Sequence, residues 1–414
     1  MKKTHLLILL SMLLLPQYLL AKPIGSAQAL RNAQDFLRTK GIPFTHSGIR
    51  RAPMADVRGE EAPFYVFNLG GNGGFVIASG DDRAFPILAY SDKGRLETDS
   101  LPENVSYWLN FYKAQIKALK SSEYASPRPR RAPSTVVQPL LTSRWNQGPP
   151  YYLACPIHSS GQRCLTGCVA TAMAQVMYYH SKNSTHQVME DIPGYDDPRQ
   201  IMEPMEYVPK GAVIDWDNMI DDYVGNYSEE QAMAVANLML YCGISVKMMY
   251  GVDGSGASTG IVPEVLIKYF DYDDDATYED RQLYTDTQWE NKIYDELAKG
   301  HPILYSGDNK NEGHAFVIDG CDAEGLVHVN WGWGGDEDGY FALTSSYDEV
   351  LNGYSESQDA AFGVAPNGAF PRLTTQDLTL KSAATIAGLS SLASLPVSFT
   401  MTLANLTATS MLAG

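Results

Sequence analysis

Residues 162–180, Gln-Arg-Cys-Leu-Thr-Gly-Cys-Val-Ala-Thr-Ala-Met-Ala-Gln-Val-Met-Tyr-Tyr-His, decide the fold. After Cys168 the apolar residues recur at intervals of three and four, which predicts a helix with one buried face. Thr166 and Gly167 precede this run and mark its N-terminal boundary. Cys168 is therefore expected on the first turn, where free N–H groups and the helix dipole favour a thiolate and lower its pKa. The pattern equally fits a buried or disulfide-bonded structural cysteine.

Length and charge set the first limits on function. The 414 residues suffice for two or three domains, and a formal net charge of −17 argues against nucleic acid as a partner. The charge is unevenly distributed: residues 22–134 hold 16 Lys/Arg against 11 Asp/Glu, whereas residues 135–414 hold 13 against 37. We expect the basic front part and the acidic back part to attract each other across an interface within the chain.

The N-terminus has the pattern of a secretory signal over residues 1–21. Lys2 and Lys3 form a basic start, Leu6 to Leu15 is a short apolar run, and Ala21 offers a small residue for cleavage. That run is too short to span a bilayer, and no later segment reaches the roughly 18 apolar residues that a span needs. The sequence therefore predicts a secreted protein with no membrane span.

Residues 22–131 are predicted to form a small α+β unit that ends in a linker. Helical periodicity covers 27–39 and 104–119, and strand-like runs cover 64–68, 74–78 and 86–90. Residues 121–136 are rich in Pro, Ser and Arg, which is linker composition. Arg128, Arg130 and Arg131 would expose basic cleavage sites there.

Residues 132–368 form the main body, with helices first and an antiparallel sheet second, an α+β arrangement. A helix is expected over 228–242, ended by Gly243, and another over 289–299. A glycine-rich loop covers 251–260, and strands are expected at 302–306, 314–320, 326–331 and 340–343. Residues 369–414, with a strand-like run at 397–403, are interpreted as a C-terminal appendage or the start of a truncated β domain.

Five cysteines, an odd number, leave at least one thiol unpaired or paired between chains in an exported protein. Cys155, His158, Cys164 and Cys168 could suggest zinc, but their spacing matches no common zinc pattern. We therefore expect no metal and no cofactor. Whether Cys155, Cys164, Cys242 and Cys321 form disulfides is open.

Cysteine catalysis needs a nearby base, and His314 is the leading candidate. It opens a strand directly after Gly313, whose missing side chain leaves room for a substrate backbone. It follows Cys168 by 146 residues, within the range of about 130–150 in papain-like enzymes. The other histidines fit less well; His328, for example, alternates with valines in a strand and is interpreted as a surface or satisfied polar residue.

Residues 328–335, His-Val-Asn-Trp-Gly-Trp-Gly-Gly, accompany this histidine. The indole of Trp331 can shield a Cys–His pair from water, and the amide of Asn330 can hold an imidazole in its useful tautomer. A tight aromatic turn with glycines for packing is the other interpretation.

Three stretches together resemble the streptopain family of cysteine peptidases. They are Gly-Cys-Val-Ala-Thr-Ala-Met-Ala-Gln-Val-Met from 167, Gly-His-Ala-Phe-Val-Ile-Asp-Gly from 313 and Val-Asn-Trp-Gly-Trp-Gly from 329. The resemblance covers roughly 25–368. It implies a papain-like fold with a Cys–His dyad, secreted as a zymogen whose basic pro-domain, 22–131, inhibits the acidic enzyme.

The resemblance also implies site residues. Cys168 would be the nucleophile, His314 the base and Gln147 an oxyanion-hole donor beside the Cys168 N–H. Asn330 and Trp331 would orient and pack on His314. Gly256 and Gly313 would line the backbone-binding subsites, although the loop around Gly256 departs from the family's Ser-Gly-Ser run. Family members often prefer a hydrophobic residue two positions before the cut.

The sequence thus predicts a secreted cysteine endopeptidase made as a zymogen, acting on protein or peptide substrates through Cys168 and His314. Its pro-domain would be an intramolecular inhibitor. One alternative is a catalytically inactive secreted binding or adhesion protein on the same scaffold. Retention of the cysteine, the histidine and Gln147 together argues against that alternative. A cysteine amidase acting on cell-wall peptides would share the dyad but not these motifs.

Overall fold

The computed structural model describes residues 23–53, 62–119, 130–308, 313–346 and 358–368. The expected signal segment 1–21, Arg128 in the linker and the appendage 369–414 lie outside the described residues. Among the described helices, none is long and apolar enough to cross a membrane.

Ten described strands form one sheet, in the order β1-β2-β3-β4-β9-β8-β7-β6-β10-β5 with antiparallel neighbours. The strands are β1 (Arg50–Arg51), β2 (Phe64–Asn68), β3 (Phe75–Ser79), β4 (Ile87–Ser91), β5 (Thr277–Asp280), β6 (Ile303–Asp308), β7 (Gly313–Cys321), β8 (Val327–Asn330), β9 (Gly339–Phe341) and β10 (Gln358–Phe362).

The described α-helices are α1 (Ser26–Lys40), α2 (Glu103–Leu119), α3 (Cys168–Tyr179), α4 (Glu229–Ser245), α5 (Val262–Phe270) and α6 (Asp286–Ala298). Two of them begin at a capping box, in which a hydroxyl and a Gln side chain each satisfy one backbone N–H. Ser228 and Gln231 form the box of α4, and Thr285 and Gln288 form the box of α6.

The N-terminal unit and the main body share this sheet. β4 of the N-terminal unit pairs with β9 of the main body through Ala89–Phe341 and Tyr90–Tyr340. The N-terminal unit therefore extends the sheet of the main body by four strands. Ion pairs also connect the two parts, because the Lys40 ammonium of the N-terminal unit lies 2.8 Å from Asp322 of the main body and also contacts Glu324. This is the attraction between the two parts that their opposite charges led us to expect.

The alternating side chains of β7 divide the core in two. Phe316 and Ile318 belong to a cluster that contains the apolar side chains of α1, α2 and α6. Ala315 and Val317 belong to a second cluster, built from α3, α4 and α5. One cluster thus combines the N-terminal unit with the main body, which is why the two parts pack as a continuous structure.

The described elements confirm the α+β arrangement and correct several details. α3 is buried from Val169 to Met177, not on one face only, because it lies between α4 and the sheet. Gly243 does not end α4, which continues to Ser245. A Cβ on Gly243 would lie 2.1 Å from the Tyr250 hydroxyl, so this glycine allows close packing. The sequence analysis missed α5, β1, β5 and β10.

Candidate active site

Cys168 is the first residue of α3, as expected, and it is half-buried. The residue before it, Gly167, has φ +88°, a conformation that L side chains rarely adopt. A Cβ at this position would lie 2.8 Å from Met248 Sδ and 2.9 Å from the Ser255 carbonyl oxygen. Glycine is therefore required here, and its tight contacts fix the approach of the chain to Cys168.

The thiol of Cys168 does not have the low pKa that its helix position suggested. Burial raises its pKa, and the Glu103 carboxylate adds to the increase. The backbone N–H groups of Ala315, Val169 and Cys168 itself act in the opposite direction because they favour the thiolate. In this form of the chain, desolvation outweighs those donors, and the expectation of an activated thiolate is wrong here.

His314 and Cys168 line the same cleft, of about 660 Å³. His314 is the second residue of β7 and pairs in register with Gly307 of β6. The N–H of the next residue, Ala315, acts on the Cys168 thiol, so the start of β7 lies against the start of α3. The structure thus brings together the two residues that the sequence analysis assigned to the dyad.

The substrate-binding glycines that the resemblance suggested also line this cleft. Gly256 pairs with Met249 through two backbone hydrogen bonds, and no atom lies within 4 Å of the position where its Cβ would be. Gly313 begins β7 opposite Asp308. Both glycines therefore lie where an extended peptide could reach the sulfur atom.

Gln147 is buried and lies beside the segment that leads into Cys168. Its carbonyl oxygen accepts a hydrogen bond from the Thr166 N–H, at 3.2 Å. The Thr166 hydroxyl is 3.4 Å from the same oxygen. These contacts join the backbone of Gln147 to Thr166, two residues before Cys168, in the neighbourhood expected of an oxyanion-hole donor.

The Asn330 side chain makes three hydrogen bonds, none of them with His314. It accepts from Gln175 Nε2 at 3.0 Å and from the Gly332 N–H, and it donates to the Ser143 carbonyl. The expected orienting contact with His314 is therefore not formed in this structure. Through its hydrogen bonds, Asn330 instead connects the end of β8 to α3 and to the segment that precedes Trp145.

Gln175 is a positioning residue that the sequence analysis missed. Its Oε1 accepts from the Ser143 hydroxyl at 3.0 Å and from the Trp145 N–H at 3.3 Å. A buried network thus connects α3, the helix of Cys168, with the segment that carries Gln147. The sequence could have indicated this role, because Gln175 is a long polar residue within a run of apolar residues.

Trp331 is fully buried and packs on Phe316 of β7, with ring centroids 4.7 Å apart. Its indole N–H donates to the Glu337 carbonyl, and its backbone N–H donates to the Asp338 carboxylate at 2.9 Å. Gly332 has φ +77°, which turns the chain sharply after the indole. Trp331 therefore supports the strand of His314 through Phe316.

Helix α2 of the N-terminal unit reaches the cleft with its first turn, which the sequence did not reveal. Glu103 Oε2 lies 3.6 Å from His314 Nε2. Asn104 donates to the Trp331 carbonyl at 2.9 Å and accepts from the Trp333 indole at 2.8 Å. The Tyr107 ring lies on Gly307, where it would be 2.6 Å from an added Cβ.

His328 is buried, not at the surface, and is satisfied by a partner. Its Nδ1 lies 2.5 Å from Asp319 Oδ1. Burial alone would lower the pKa of His328, but the Asp319 carboxylate raises it above its usual value. The pair of His328 and Asp319 is therefore structural, and His328 is not a second candidate for the base.

Comparison with known proteins identifies both parts of the chain. Residues 145–341 match the model of the peptidase C10 family, and residues 21–116 match that of the Spi protease inhibitor. Streptopain of Streptococcus pyogenes serotype M28 is 33% identical over 395 residues, covering 86% of this chain and 98% of the relative.

Two further proteins are similar to it. The thiol protease/hemagglutinin PrtT of Porphyromonas gingivalis is 31% identical over 390 residues, which cover 88% of this chain and 44% of that protein. A solved structure, a mutant fragment of prointerpain A of Prevotella intermedia, superposes with a TM-score of 0.65 and 35% identity. That superposition covers 77% of this chain and 99% of the fragment.

Proposed function

The chain belongs to the peptidase C10 family, that of streptopain, and is a cysteine peptidase with a protease-inhibitor-like N-terminal part; from this we propose that it is a secreted endopeptidase, made as a zymogen, with Cys168 and His314 as its dyad. One observation carries the dyad: the first residue of α3 and the second residue of β7 line the same cleft.

The proposed reaction is acyl transfer from a peptide to Cys168. The thiolate attacks the carbonyl carbon, and the Gln147 side chain and the Cys168 N–H hold the resulting oxyanion. His314 protonates the amine as the C–N bond breaks. Water then attacks the thioester, His314 accepts its proton, and the acid product leaves with the thiol restored. Trp331 and Asn330 support this arrangement through packing and the network with Gln175.

The proposed pro-domain, residues 22–131, would inhibit through α2. Glu103 lies beside the imidazole of His314, Asn104 bonds the loop of Trp331 and Trp333, and Tyr107 covers Gly307 in the wall of the cleft. The raised pKa of Cys168 supports the same conclusion, because a protonated thiol is a poor nucleophile. Cleavage near Arg128–Arg131 would begin activation.

The test is digestion of an unfolded protein under reducing conditions, with cleavage followed by mass spectrometry. Wild-type protein should cut, whereas Cys168→Ala and His314→Ala should not. His158→Ala is the matched control, since it removes a histidine outside the cleft. A wild type that stays inert after removal of its pro-domain with an Arg-specific protease would overturn the peptidase proposal and favour the binding-protein alternative.

The proposal of secretion has its own test. Residues 1–21 should be absent from protein recovered from the culture medium of a bacterial expression host, and N-terminal sequencing should begin at Lys22. Full-length protein retained inside the cells would contradict the assignment of residues 1–21 as a signal segment. It would leave the proposal for the catalytic residues unaffected.

A further inference from the structure

A second groove lies outside the active-site cleft, and the proposed mechanism does not use it. It has a volume of about 600 Å³ and lies between residues 154–157, the loop 203–212 and α4. The residues that α4 contributes are spaced as i, i+3, i+4 and i+7, which places them on one face of the helix. They are Asn237, Leu240, Tyr241 and Ile244.

Large apolar side chains are exposed at this groove. Tyr207 is 61% exposed and Ile157 is 46% exposed, and both line it. Met233, one turn earlier than Asn237 on the same face of α4, is also exposed. Apolar side chains that gather at one exposed place mark interaction sites, unlike single ones scattered over a surface. Because tyrosine is also frequent among the residues that dominate binding energy, the groove has the composition of a protein-binding surface.

Backbone hydrogen bonds hold the outer wall of the groove in place. Met205 exchanges two of them with Tyr195, at 2.8 and 3.1 Å, and Val208 exchanges two with Ile192, at 2.9 and 3.0 Å. Tyr207 lies between these two pairs and is presented by a loop that is fixed on both sides. The groove is therefore preformed, which reduces the ordering that binding would require.

Charge indicates the chemistry of the occupant. The side chains of Glu203 and Glu206 line the groove and are exposed, and its described lining residues include no Lys or Arg. Residues 135–414 as a whole hold 13 Lys/Arg against 37 Asp/Glu. An apolar surface beside two carboxylates is complementary to a segment that combines apolar and basic side chains, whereas an acidic segment would be repelled.

The groove is adjacent to the active-site cleft. Ile244 lines the groove, whereas Val246 and Lys247 line the cleft. The end of α4 thus borders both cavities, and two peptide units span at most about 7 Å. One extended substrate chain can therefore occupy the cleft and the groove together.

We propose that this groove is an exosite, which binds a segment of the protein substrate that is rich in basic and apolar side chains. The inference rests on the proposed peptidase function and deepens it. The exosite acts away from the bond that is cut, so it is independent of the side chains that the cleft prefers. It selects among whole proteins rather than among cleavage sites.

The experiment compares three peptides of about 30 residues, long enough to span both cavities. They share one cleavable core, which is flanked on both sides by Leu and Lys, by Leu and Glu, or by Gly and Ser. The mature wild-type enzyme should cut the Leu/Lys peptide with a kcat/KM about 5- to 30-fold above that of the Gly/Ser peptide, as expected for a few anchoring contacts. The Leu/Glu peptide should show no such advantage.

Two changes in the groove should remove this advantage. Tyr207→Ala and the double variant Glu203→Gln/Glu206→Gln should each reduce it to about 2-fold or less. Both should cut the Gly/Ser peptide at the wild-type rate, because these residues lie outside the cleft. Tyr227→Ala is the matched control, since Tyr227 is also an exposed tyrosine but does not line the groove.

A binding measurement identifies the occupant without catalysis. Tyr207→p-benzoylphenylalanine in the Cys168→Ala chain should cross-link to the Leu/Lys peptide on irradiation, and mass spectrometry locates the cross-link. Cross-links only to residues 369–414, or only to a second copy of the chain, would make that segment or that copy the occupant and overturn the inference.

Equal kcat/KM for the Leu/Lys and Gly/Ser peptides in the wild type would overturn the inference too. An advantage that both groove variants retain in full would place the selectivity in the cleft and have the same effect. A wild type that cuts none of the peptides would instead refute the proposed function, whereas the cross-link would still decide whether the groove binds.

Discussion

Glu103 Oε2 lies 3.6 Å from His314 Nε2, at the point where the first turn of α2 enters the cleft. The carboxylate is two-thirds exposed, with 66% of its side-chain surface accessible, so solvent screens this pair strongly. Its neighbour Asn104 is 1% exposed and bonds two tryptophans of the main body. The two residues therefore contribute very unequally to holding α2 in the site.

Asn104→Ala should release the pro-domain far more readily than Glu103→Gln. The alanine removes two buried hydrogen bonds, a loss of about 2–3 kcal/mol, or about 30- to 150-fold in pro-domain binding. The Gln variant should change binding by only a few-fold. The measurement is the rate at which activity appears after the linker is nicked by an Arg-specific protease. Faster release in Glu103→Gln than in Asn104→Ala would contradict this ranking.

Gly167→Ala should destabilise the protein by about 1–3 kcal/mol and abolish most activity, because its Cβ would meet Met248 and the Ser255 carbonyl. Gly161→Ala is the matched control: its φ is +83°, but nothing lies within 4 Å of an added Cβ. Urea unfolding in a Cys168→Ala background gives the stabilities. Equal losses in both variants would show that φ alone, and not the contact, requires the glycine at 167.

The contribution of Asp338 and Glu337 to the stability of the unprocessed chain should fall as the pH rises from about 5 to 7.5. Burial raises the pKa of Asp338 to about 6 and that of Glu337 to about 7. Both carboxyls have higher pKa values in the folded state than in the unfolded state. The stabilisation that they contribute is therefore complete below about pH 4 and is lost as the pH rises through 6 to 7. His328 contributes with the same sign, because its pKa is also raised.

Asp338→Asn should remove part of this pH dependence, about 1–3 kcal/mol between pH 5 and 7.5. The comparison is urea unfolding of Cys168→Ala with and without the second substitution, at both pH values. Glu97→Gln, on the pro-domain side, should produce a smaller change in the same direction, because Glu97 adds to the increase in the pKa of Glu337. An unchanged pH slope in Asp338→Asn would contradict the assignment.

Alkylation of Cys168 should report the removal of α2. In the unprocessed chain burial raises the thiol pKa, so the reaction with iodoacetamide should become fast only above the ordinary thiol pKa of about 8.5. After maturation the N–H groups of Ala315 and Val169 remain, whereas Glu103 leaves with α2, and the titration should move to lower pH. Identical pH profiles before and after processing would refute this account of latency.

Processing should be a reaction between molecules. Arg131 lies against Gly325, beyond the Cys321 end of β7, whereas His314 is near the other end of that strand. Seven residues of strand span about 23 Å, so Arg131 lies far from His314 in this arrangement. The half-time of self-processing should shorten as protein concentration rises, and a concentration-independent half-time would contradict the prediction.

Much of the fold could be predicted because local patterns specify it. Strand β2 was predicted with its observed limits, and α1 and α2 to within a residue at each end. α5 and β10 were missed because a short apolar run does not distinguish helix from strand, and because β10 finds its partners only in the assembled sheet. Gly243 misled the prediction because its role depends on Tyr250, which follows after α4 has ended.

The site was predictable only where its residues lie in strong motifs. Cys168, His314 and Gly313 come together as expected, since each lies at the start of a well-marked element. The pro-domain contacts of Asn104 could not be predicted, because its partners lie 227 and 229 residues away in the chain. The pKa of Cys168 was predicted with the wrong sign, because burial in the assembled fold outweighs the effect of the helix start and Glu103, which adds to the increase, is remote in sequence.

The ladder between β4 and β9 has a consequence for the timing of activation. A cut in the linker breaks one covalent bond but none of the hydrogen bonds that join Ala89 and Tyr90 to their partners. The cut molecule therefore stays assembled as a two-chain complex with its cleft still covered. Latency would end only when that complex dissociates or its smaller chain is degraded, so the appearance of activity should lag behind the disappearance of the full-length chain.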